Sequence, residues 1–223
     1  MPPAIDALRA LLAALAIAVP APGSTGALSF VNATGLPEKI DIRVDGEPLS
    51  RDGYPHGEFS GGLLFPAGRA IRIEASAPCA EPAPAFRVVP GEGTTQVIVI
   101  YAMAQERPTV PTLALRARVL PHKESSARHS ITGVYLGAQP FVVIRSNGRD
   151  VKLPPDVPAE IWKGDGAAFT VAMPHGAVQV RLDEPGHYWL ILHDRGGGPT
   201  GHLLIPDPAY SAPIFDAPAS TGR

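Results

Sequence analysis

The sequence of 223 residues has one cysteine, few aromatic side chains and almost no charge imbalance. The single thiol, Cys79, has no partner for an internal disulfide, so we expect a free thiol, with an intermolecular bridge as the alternative. Lys and Arg number 19 against 21 Asp and Glu, and the basic residues are scattered along the chain. The sequence therefore predicts no binding of nucleic acid.

Long hydrophobic runs are also scarce, and the longest, Ala10 to Val19, follows an arginine and precedes a proline. It is too short to span a bilayer, which needs about 20 apolar residues, and its flanks are typical of a secretory signal. We predict a signal peptide over residues 1–26, cleaved after Ala21, Gly26 or Ala27. No cysteine lies directly after the run to accept a lipid. The mature protein is predicted to be soluble, periplasmic or secreted, with no stable membrane insertion.

Beyond the signal, helical periodicity is almost absent. Short alternating or wholly apolar runs recur between Pro, Gly, Asn and Asp residues, which is typical of β-strands joined by tight turns. The sequence predicts an all-β protein made of two small antiparallel β-sandwich domains of the immunoglobulin-like kind. The predicted limits are a first domain at 27–104, a linker at 105–111, a second domain at 112–206 and a disordered Pro/Ala tail at 207–223.

The two predicted domains look like copies of one another. Alternating or apolar strands run into Asp45-Gly46 in the first half and into Asn147-Gly148 in the second, and both dipeptides favour tight hairpin turns. Each half also has an apolar-Pro-X-Gly turn and ends in a strongly apolar strand: Phe65–Gly68 and Gln96–Tyr101 in the first, Met173–Gly176 and Tyr188–Leu192 in the second. This order of parts predicts an internal duplication.

Sequence motifs for catalysis are missing. No Gly-x-Ser-x-Gly is present, and the run Gly196-Gly197-Gly198 is not followed by Lys and Ser or Thr, so it is no phosphate-binding loop. That run is interpreted as a hairpin loop. We expect no catalytic residues, no required cofactor and no enzymatic activity.

Two histidines near the end of the chain suggest a metal site. If residues 195–200 form a hairpin loop, His193 lies directly across from His202, with Cβ atoms about 5 Å apart. Two imidazoles at this spacing can share a copper or zinc ion, and Met173 and His175 would add further ligands. The alternative is that these histidines are exposed polar residues at a strand end.

Alternation along the last apolar strand separates two faces. Tyr188, Leu190 and Leu192 share one face, while the odd-numbered residues from His187 to His193 share the other. The mixed face is predicted to be exposed or to contact a partner. Trp189, on that face, and Trp162 are predicted to contact a partner protein or a glycan.

A signal peptide, two small β domains, the strand Phe30–Thr34, the turn Phe65–Gly68 and a glycine-rich final hairpin together resemble the periplasmic accessory protein of bacterial alginate O-acetylation and its relative in cellulose acetylation. The resemblance implies a non-catalytic subunit that helps transfer acetyl groups to an exopolysaccharide by contacting O-acetyltransferase components. The chain also resembles secreted bacterial β-repeat domains of unknown function, through Val44-Asp45-Gly46 and the Pro-Ala-Gly turn.

We therefore expect a non-catalytic periplasmic adaptor, an accessory subunit in the O-acetylation of alginate or a cellulose-like polymer. Its expected partners are other envelope proteins, including O-acetyltransferase components, and a polysaccharide. Two alternatives stay open. One is a periplasmic copper- or zinc-binding protein that uses His193 and His202. The other is a generic secreted β-sandwich protein of the envelope.

Overall fold

The computed structural model describes residues 24–105, 112–122, 127–166, 168–173, 176–182, 184–195 and 198–207. These residues form strands and turns, and none of their elements is a helix. The strands of the first half are β1 (Thr25–Ala33), β2 (Asp41–Val44), β3 (Glu47–Pro48), β4 (Leu63–Pro66), β5 (Ile71–Ser76), β6 (Phe86–Val88), β7 (Thr95–Gln105) and β8 (Thr112–Pro121). Those of the second half are β9 (His129–Leu136), β10 (Val142–Ser146), β11 (Arg149–Leu153), β12 (Ala159–Gly164), β13 (Ala168–Met173), β14 (Gly176–Arg181), β15 (Gly186–Arg195) and β16 (Gly198–Pro206).

The strands form four four-stranded sheets, two in each half. Inner sheet 1 has the order β4-β1-β7-β8, and outer sheet 1 has the order β3-β2-β5-β6. Inner sheet 2 has the order β12-β9-β15-β16, and outer sheet 2 has the order β11-β10-β13-β14. Every strand of the first half has a counterpart at the same place in the second half, so the topology repeats as a duplication requires.

Three apolar cores hold the sheets in a stack. One lies between the two sheets of the first half and another between the two sheets of the second half. The third, here called the shared core, joins the two inner sheets through Val31, Ala33, Val97, Val99, Tyr101, Leu120, Val134, Leu136, Trp189, Ile191 and Ile205. The layers therefore follow the order outer sheet 1, inner sheet 1, inner sheet 2, outer sheet 2.

This layering explains the two kinds of strand in the sequence. Strands of the inner sheets are covered on both faces, so the run Val97–Ile100 of β7 is apolar throughout. Strands of the outer sheets are covered on one face only. In β2, Ile42 and Val44 are buried while Arg43 is exposed, which is the alternation of a half-buried strand. The predicted all-β sandwich fold is confirmed.

Both inner sheets contain one parallel pair, which the prediction of purely antiparallel sheets did not include. Strand β1 pairs with β7 in parallel, and β9 pairs with β15 in parallel. Between these partners the chain passes through the outer sheet of the same half, so no hairpin forces the partners to run in opposite directions. The remaining strand pairs within the sheets are antiparallel.

The two predicted hairpin turns are confirmed. Asp45 and Gly46 connect β2 to β3 with φ angles of 51° and 88°, and Asn147 and Gly148 connect β10 to β11 with 50° and 76°. Positive φ at both central residues is the geometry that Asp-Gly and Asn-Gly favour.

The two Pro-X-Gly turns were predicted to occupy equivalent places in the two halves, but the second lies one strand further along the repeat. Phe65–Gly68 leads from β4 into β5, whereas Met173–Gly176 joins β13 to β14. The counterpart of the first turn is the connection from β12 to β13. Pro174 and His175 lie outside the described residues.

The predicted linker at 105–111 lies between β7 and β8 in the chain, and these two strands pair with each other in inner sheet 1. Gln105, its one described residue, is the last residue of β7 and pairs with Thr112 of β8. Strand β8 was assigned to the second domain, but it lies beside β7 in the sheet of the first half. The first copy of the repeat ends with β8 at Pro121, and the second copy begins with β9 at His129. That each half folds by itself stays a prediction.

The predicted signal peptide and tail lie mostly outside the described residues. Where they overlap the structure, Thr25 and Gly26 pair with β4, and cleavage after Gly26 or Ala27 would shorten β1. Cleavage after Ala21 leaves β1 whole. Asp207, placed in the tail, is 1% exposed and donates its backbone N–H to the His187 carbonyl at 2.8 Å.

Candidate functional site

The predicted register of the last hairpin is wrong by one residue. His193 pairs with Gly201, and His202 pairs with Leu192, because the ladder shifts at a bulge between His193 and Arg195. Directly opposed residues share a face and successive residues alternate. His193 and His202 therefore lie on opposite faces of inner sheet 2, and the pair expected to hold copper or zinc does not form.

The neighbour of His193 comes from the first half of the chain. The His56 ring lies 5.0 Å from the His193 ring, centroid to centroid, at an interplanar angle of 67°. Gly35 donates its backbone N–H to His56 Nδ1 at 3.1 Å. This edge-to-face contact joins the two halves at one end of the shared core.

Further metal donors are not assembled around these rings. Within the described ranges, no group of three or more His, Cys, Asp or Glu side chains could hold a metal ion. The side chain of Met173 and the whole of His175 lie outside the described residues. Metal binding stays a prediction without a described donor set.

Trp189 faces inner sheet 1. It is 2% exposed and belongs to the shared core, so the partner of the mixed face of β15 is the other half of the same chain. The prediction that Trp189 contacts a second molecule is wrong for this conformation. Trp162 packs against the core of the second half, 6.4 Å from the His129 ring.

Two polar pairs, one buried and one partly buried, lie toward the other end of the inner sheets. His122 Nδ1 is 3.1 Å from Asp207 Oδ2, which connects the end of β8 to the end of β16. Ser130 Oγ is 2.8 Å from His187 Nδ1. A serine beside a histidine resembles half of a hydrolase triad, but Ser130 and His187 are 2% and 1% exposed. Substrate cannot reach this pair, and its hydrogen bond serves packing.

A third buried polar group fixes the loop after β9. Tyr135 donates its hydroxyl to Asp194 Oδ1 at 2.9 Å, and the backbone N–H of Gln139 donates to the tyrosine oxygen at 3.1 Å. Burial raises the pKa of Tyr135 well above its usual value, and the Asp194 carboxylate adds to the shift. The phenol therefore stays neutral and acts as a fixed donor.

An open groove lies on outer sheet 1. It has a volume of about 740 Å³, within the range of about 300–1,000 Å³ that is typical of small-molecule sites. This charged groove is lined by Lys39, Asp41, Arg43, Pro48, Ser50, Arg51, Asp52, Gly53, Ser76, Ala77 and Pro78.

Strand β2 forms the floor of the charged groove. Asp41 pairs with Ser76 at the end of β5, so the residues after β5 form one wall. The segment after β3 forms the other wall and returns to β2 through the bridge between Ile40 and Tyr54. Gly53 has φ of +70°, and an added Cβ would lie 2.9 Å from the Ile40 carbonyl oxygen. Glycine is therefore required where this wall meets β2.

Only part of the charge in the groove is neutralised internally. Arg43 donates from Nε to Asp41 Oδ2 at 2.9 Å, and this hydrogen bond with the Asp41 charge raises the pKa of Arg43. Lys39 and Arg51 make no ion pair within the described part of the chain. Two cationic groups are thus available to a ligand.

The same place in the second half has different chemistry. Counting back from the hairpin turns, Lys39 and Asp41 correspond to Phe141 and Val143. Phe141 and Val143 are 41% and 40% exposed, and the Lys152 ammonium lies 3.7 Å from the Phe141 ring centroid. These three residues are named the apolar patch. Outer sheet 1 carries a charged groove where outer sheet 2 carries an apolar patch.

None of these groove and patch residues was singled out from the sequence. A signal was present, because aligning Asp45-Gly46 with Asn147-Gly148 places Lys39 and Asp41 opposite Phe141 and Val143. Exposed Phe and Val at positions that are charged in the other copy indicate different surfaces.

No helix in the described ranges is long and apolar enough to cross a membrane. Comparison with protein-family models and with curated proteins finds no match for the chain.

Proposed function

We propose that this protein is a non-catalytic adaptor of the bacterial envelope that holds two partners at opposite ends of a four-layer body, as an accessory subunit in exopolysaccharide O-acetylation. The observation that carries the proposal is the order of the layers. Outer sheets 1 and 2 are separated by both inner sheets and the shared core. Their exposed faces point away from each other, so two partners can bind without competing.

The contrast between the two outer faces supports two different partners. The charged groove presents Lys39, Arg51 and Asp52, which suits a polar or charged ligand. The apolar patch presents Phe141 and Val143 beside Lys152, which suits the apolar centre of a protein contact with a charged rim. We assign the acetyltransferase contact to the apolar patch.

The proposal assigns no chemistry to the protein itself. Ser130 with His187, a pair of the kind that could act as nucleophile and base, is closed to substrate by burial. Acetyl transfer is instead assigned to the partner, with this protein setting the position of partner and polymer.

A deletion strain of the source bacterium tests the acetylation role. We expect the acetyl content of its secreted polysaccharide to fall, with restoration by the wild-type gene. A double variant, Phe141→Glu with Val143→Glu, should fail to restore it because two charges disrupt the apolar patch. Val89→Glu is the matched control, because Val89 is 51% exposed and lies outside both surfaces; it should restore acetylation fully.

Purified variants must give wild-type circular dichroism spectra before the complementation is interpreted. Normal acetyl content in the deletion strain would refute the role in acetylation. Full restoration by the double variant would refute the assignment of the apolar patch.

A further inference from the structure

We propose that the charged groove is a binding site for a saccharide that carries carboxylate groups. Such a site would let the protein bind an acidic polysaccharide directly. That this polysaccharide is the polymer being acetylated rests on the proposed function. The binding claim itself rests on the groove residues.

The local charge of the groove favours an anionic ligand. The chain has a formal net charge of −2, yet the groove lining holds three cationic side chains and two carboxylates. Because Asp41 neutralises Arg43, Lys39 and Arg51 are the cations available to a ligand. An Arg guanidinium and a Lys ammonium in one groove favour carboxylate groups on the ligand.

The groove also presents groups that can hydrogen-bond to the hydroxyls of a sugar. Asp52 also lines the groove, and its carboxylate can accept hydrogen bonds from adjacent hydroxyls of a sugar ring. Ser50 and Ser76 add hydroxyls that donate or accept. An acidic peptide would satisfy the cations but would place its own carboxylates near Asp52, at a cost. A sugar acid satisfies both kinds of group.

The lining of the groove offers no aromatic surface for a sugar ring to stack on. None of the lining residues is aromatic, so recognition depends on polar groups and not on stacking. The binding therefore requires carboxylates on the ligand and weakens with salt, because exposed charges are screened within about 10 Å at 0.1 M ionic strength.

Isothermal titration of the purified mature protein with hexagalacturonate at low salt tests the site. We expect saturable binding with one site per chain. The same oligomer with methyl-esterified carboxyls should not bind, and hexaglutamate should bind more weakly than hexagalacturonate. Raising the salt from 50 to 200 mM should weaken binding severalfold.

Variants then locate the site. Lys39→Ala and Arg51→Ala should each weaken binding about fivefold, as expected for partly exposed charged contacts. Asp52→Asn should weaken binding of hexagalacturonate and strengthen binding of hexaglutamate. Phe141→Ala is the matched control at the equivalent position of the second half and should leave binding unchanged.

Three results would overturn the inference: no saturable binding, equal binding of the methyl ester, or wild-type affinity in the double variant Lys39→Ala with Arg51→Ala. Tighter binding of hexaglutamate than of hexagalacturonate would reassign the groove to an acidic peptide. Any of these outcomes leaves the adaptor role standing if the deletion strain still loses acetylation, so the two failures are distinguishable.

Discussion

Replacing Trp189 by alanine tests whether the two halves share one core in solution. The indole is 2% exposed, and burying about 200 Å² of aromatic surface stabilises a fold by about 5 kcal/mol at 25 cal/mol/Å². The indole N–H has no hydrogen-bond partner among the described residues, which offsets about 1–2 kcal/mol. We expect Trp189→Ala to lower the free energy of unfolding by about 3–4 kcal/mol. Trp189→Phe keeps an aromatic ring, although a smaller one without the N–H, and should cost about 1 kcal/mol.

Urea denaturation provides the assay. The chain has two tryptophans, so in Trp189→Ala the fluorescence of Trp162 reports on the second half alone, while far-ultraviolet circular dichroism reports on both halves. Wild-type protein should unfold in one transition by both signals, and the variant should separate them because the halves are no longer coupled. Val143→Ala, on the outer face, should change stability by less than about 0.5 kcal/mol. A loss below about 1 kcal/mol in Trp189→Ala, or two separate transitions in the wild type, would refute the shared core.

Three further predictions concern single contacts. The thiol of Cys79 donates to Glu38 Oε2 at 3.0 Å, and this hydrogen bond together with desolvation raises the thiol pKa. Glu38→Gln should therefore speed alkylation of Cys79 by iodoacetamide at pH 8 about two- to fivefold. An unchanged rate would contradict the contact. The pKa of Asp150 is lowered by its hydrogen bond to Arg145, so the pair stabilises the fold above the carboxyl's usual pKa and loses this effect as pH falls through the lowered one. In Arg145→Ala, carbon NMR should show the Asp150 titration midpoint moving upward. Gly137→Ala would drive a methyl group into the tyrosine hydroxyl two residues earlier and should cost about 2–3 kcal/mol in urea denaturation, whereas a neutral effect would show that this loop is not fixed.

Local turn chemistry and alternation were enough to predict the fold class. Asp45-Gly46 and Asn147-Gly148 require positive φ angles that few other dipeptides adopt, so both hairpins followed from two residues each. The alternation along β2 and the continuous apolar run of β7 distinguish an outer strand from an inner one. These are short-range signals, and each is contained in fewer than a dozen residues.

The candidate site depended on signals of longer range. The register of β15 against β16 is set by a bulge near the glycine-rich loop, and a glycine run fits several loop lengths equally well. Because the observed register differs from the predicted one by a single residue, His202 and His193 lie on opposite faces of inner sheet 2. The charged groove joins segments after β3 and after β5 across β2, and no spacing in the sequence places those segments side by side.

The shared core also explains why the mixed face of β15 looked like a surface. Ser29 pairs with Val97 in the first half as Ser130 pairs with His187 in the second, so the valine and the histidine occupy equivalent positions. The first half supplies an apolar side to the interface, while the second half supplies most of its imidazoles. Burying these imidazoles has a desolvation cost, which would weaken the same interface if the two halves were separate molecules. Within one chain the two sides meet at a high effective concentration, so a mixed face can be buried without the affinity that a dimer of separate chains would need.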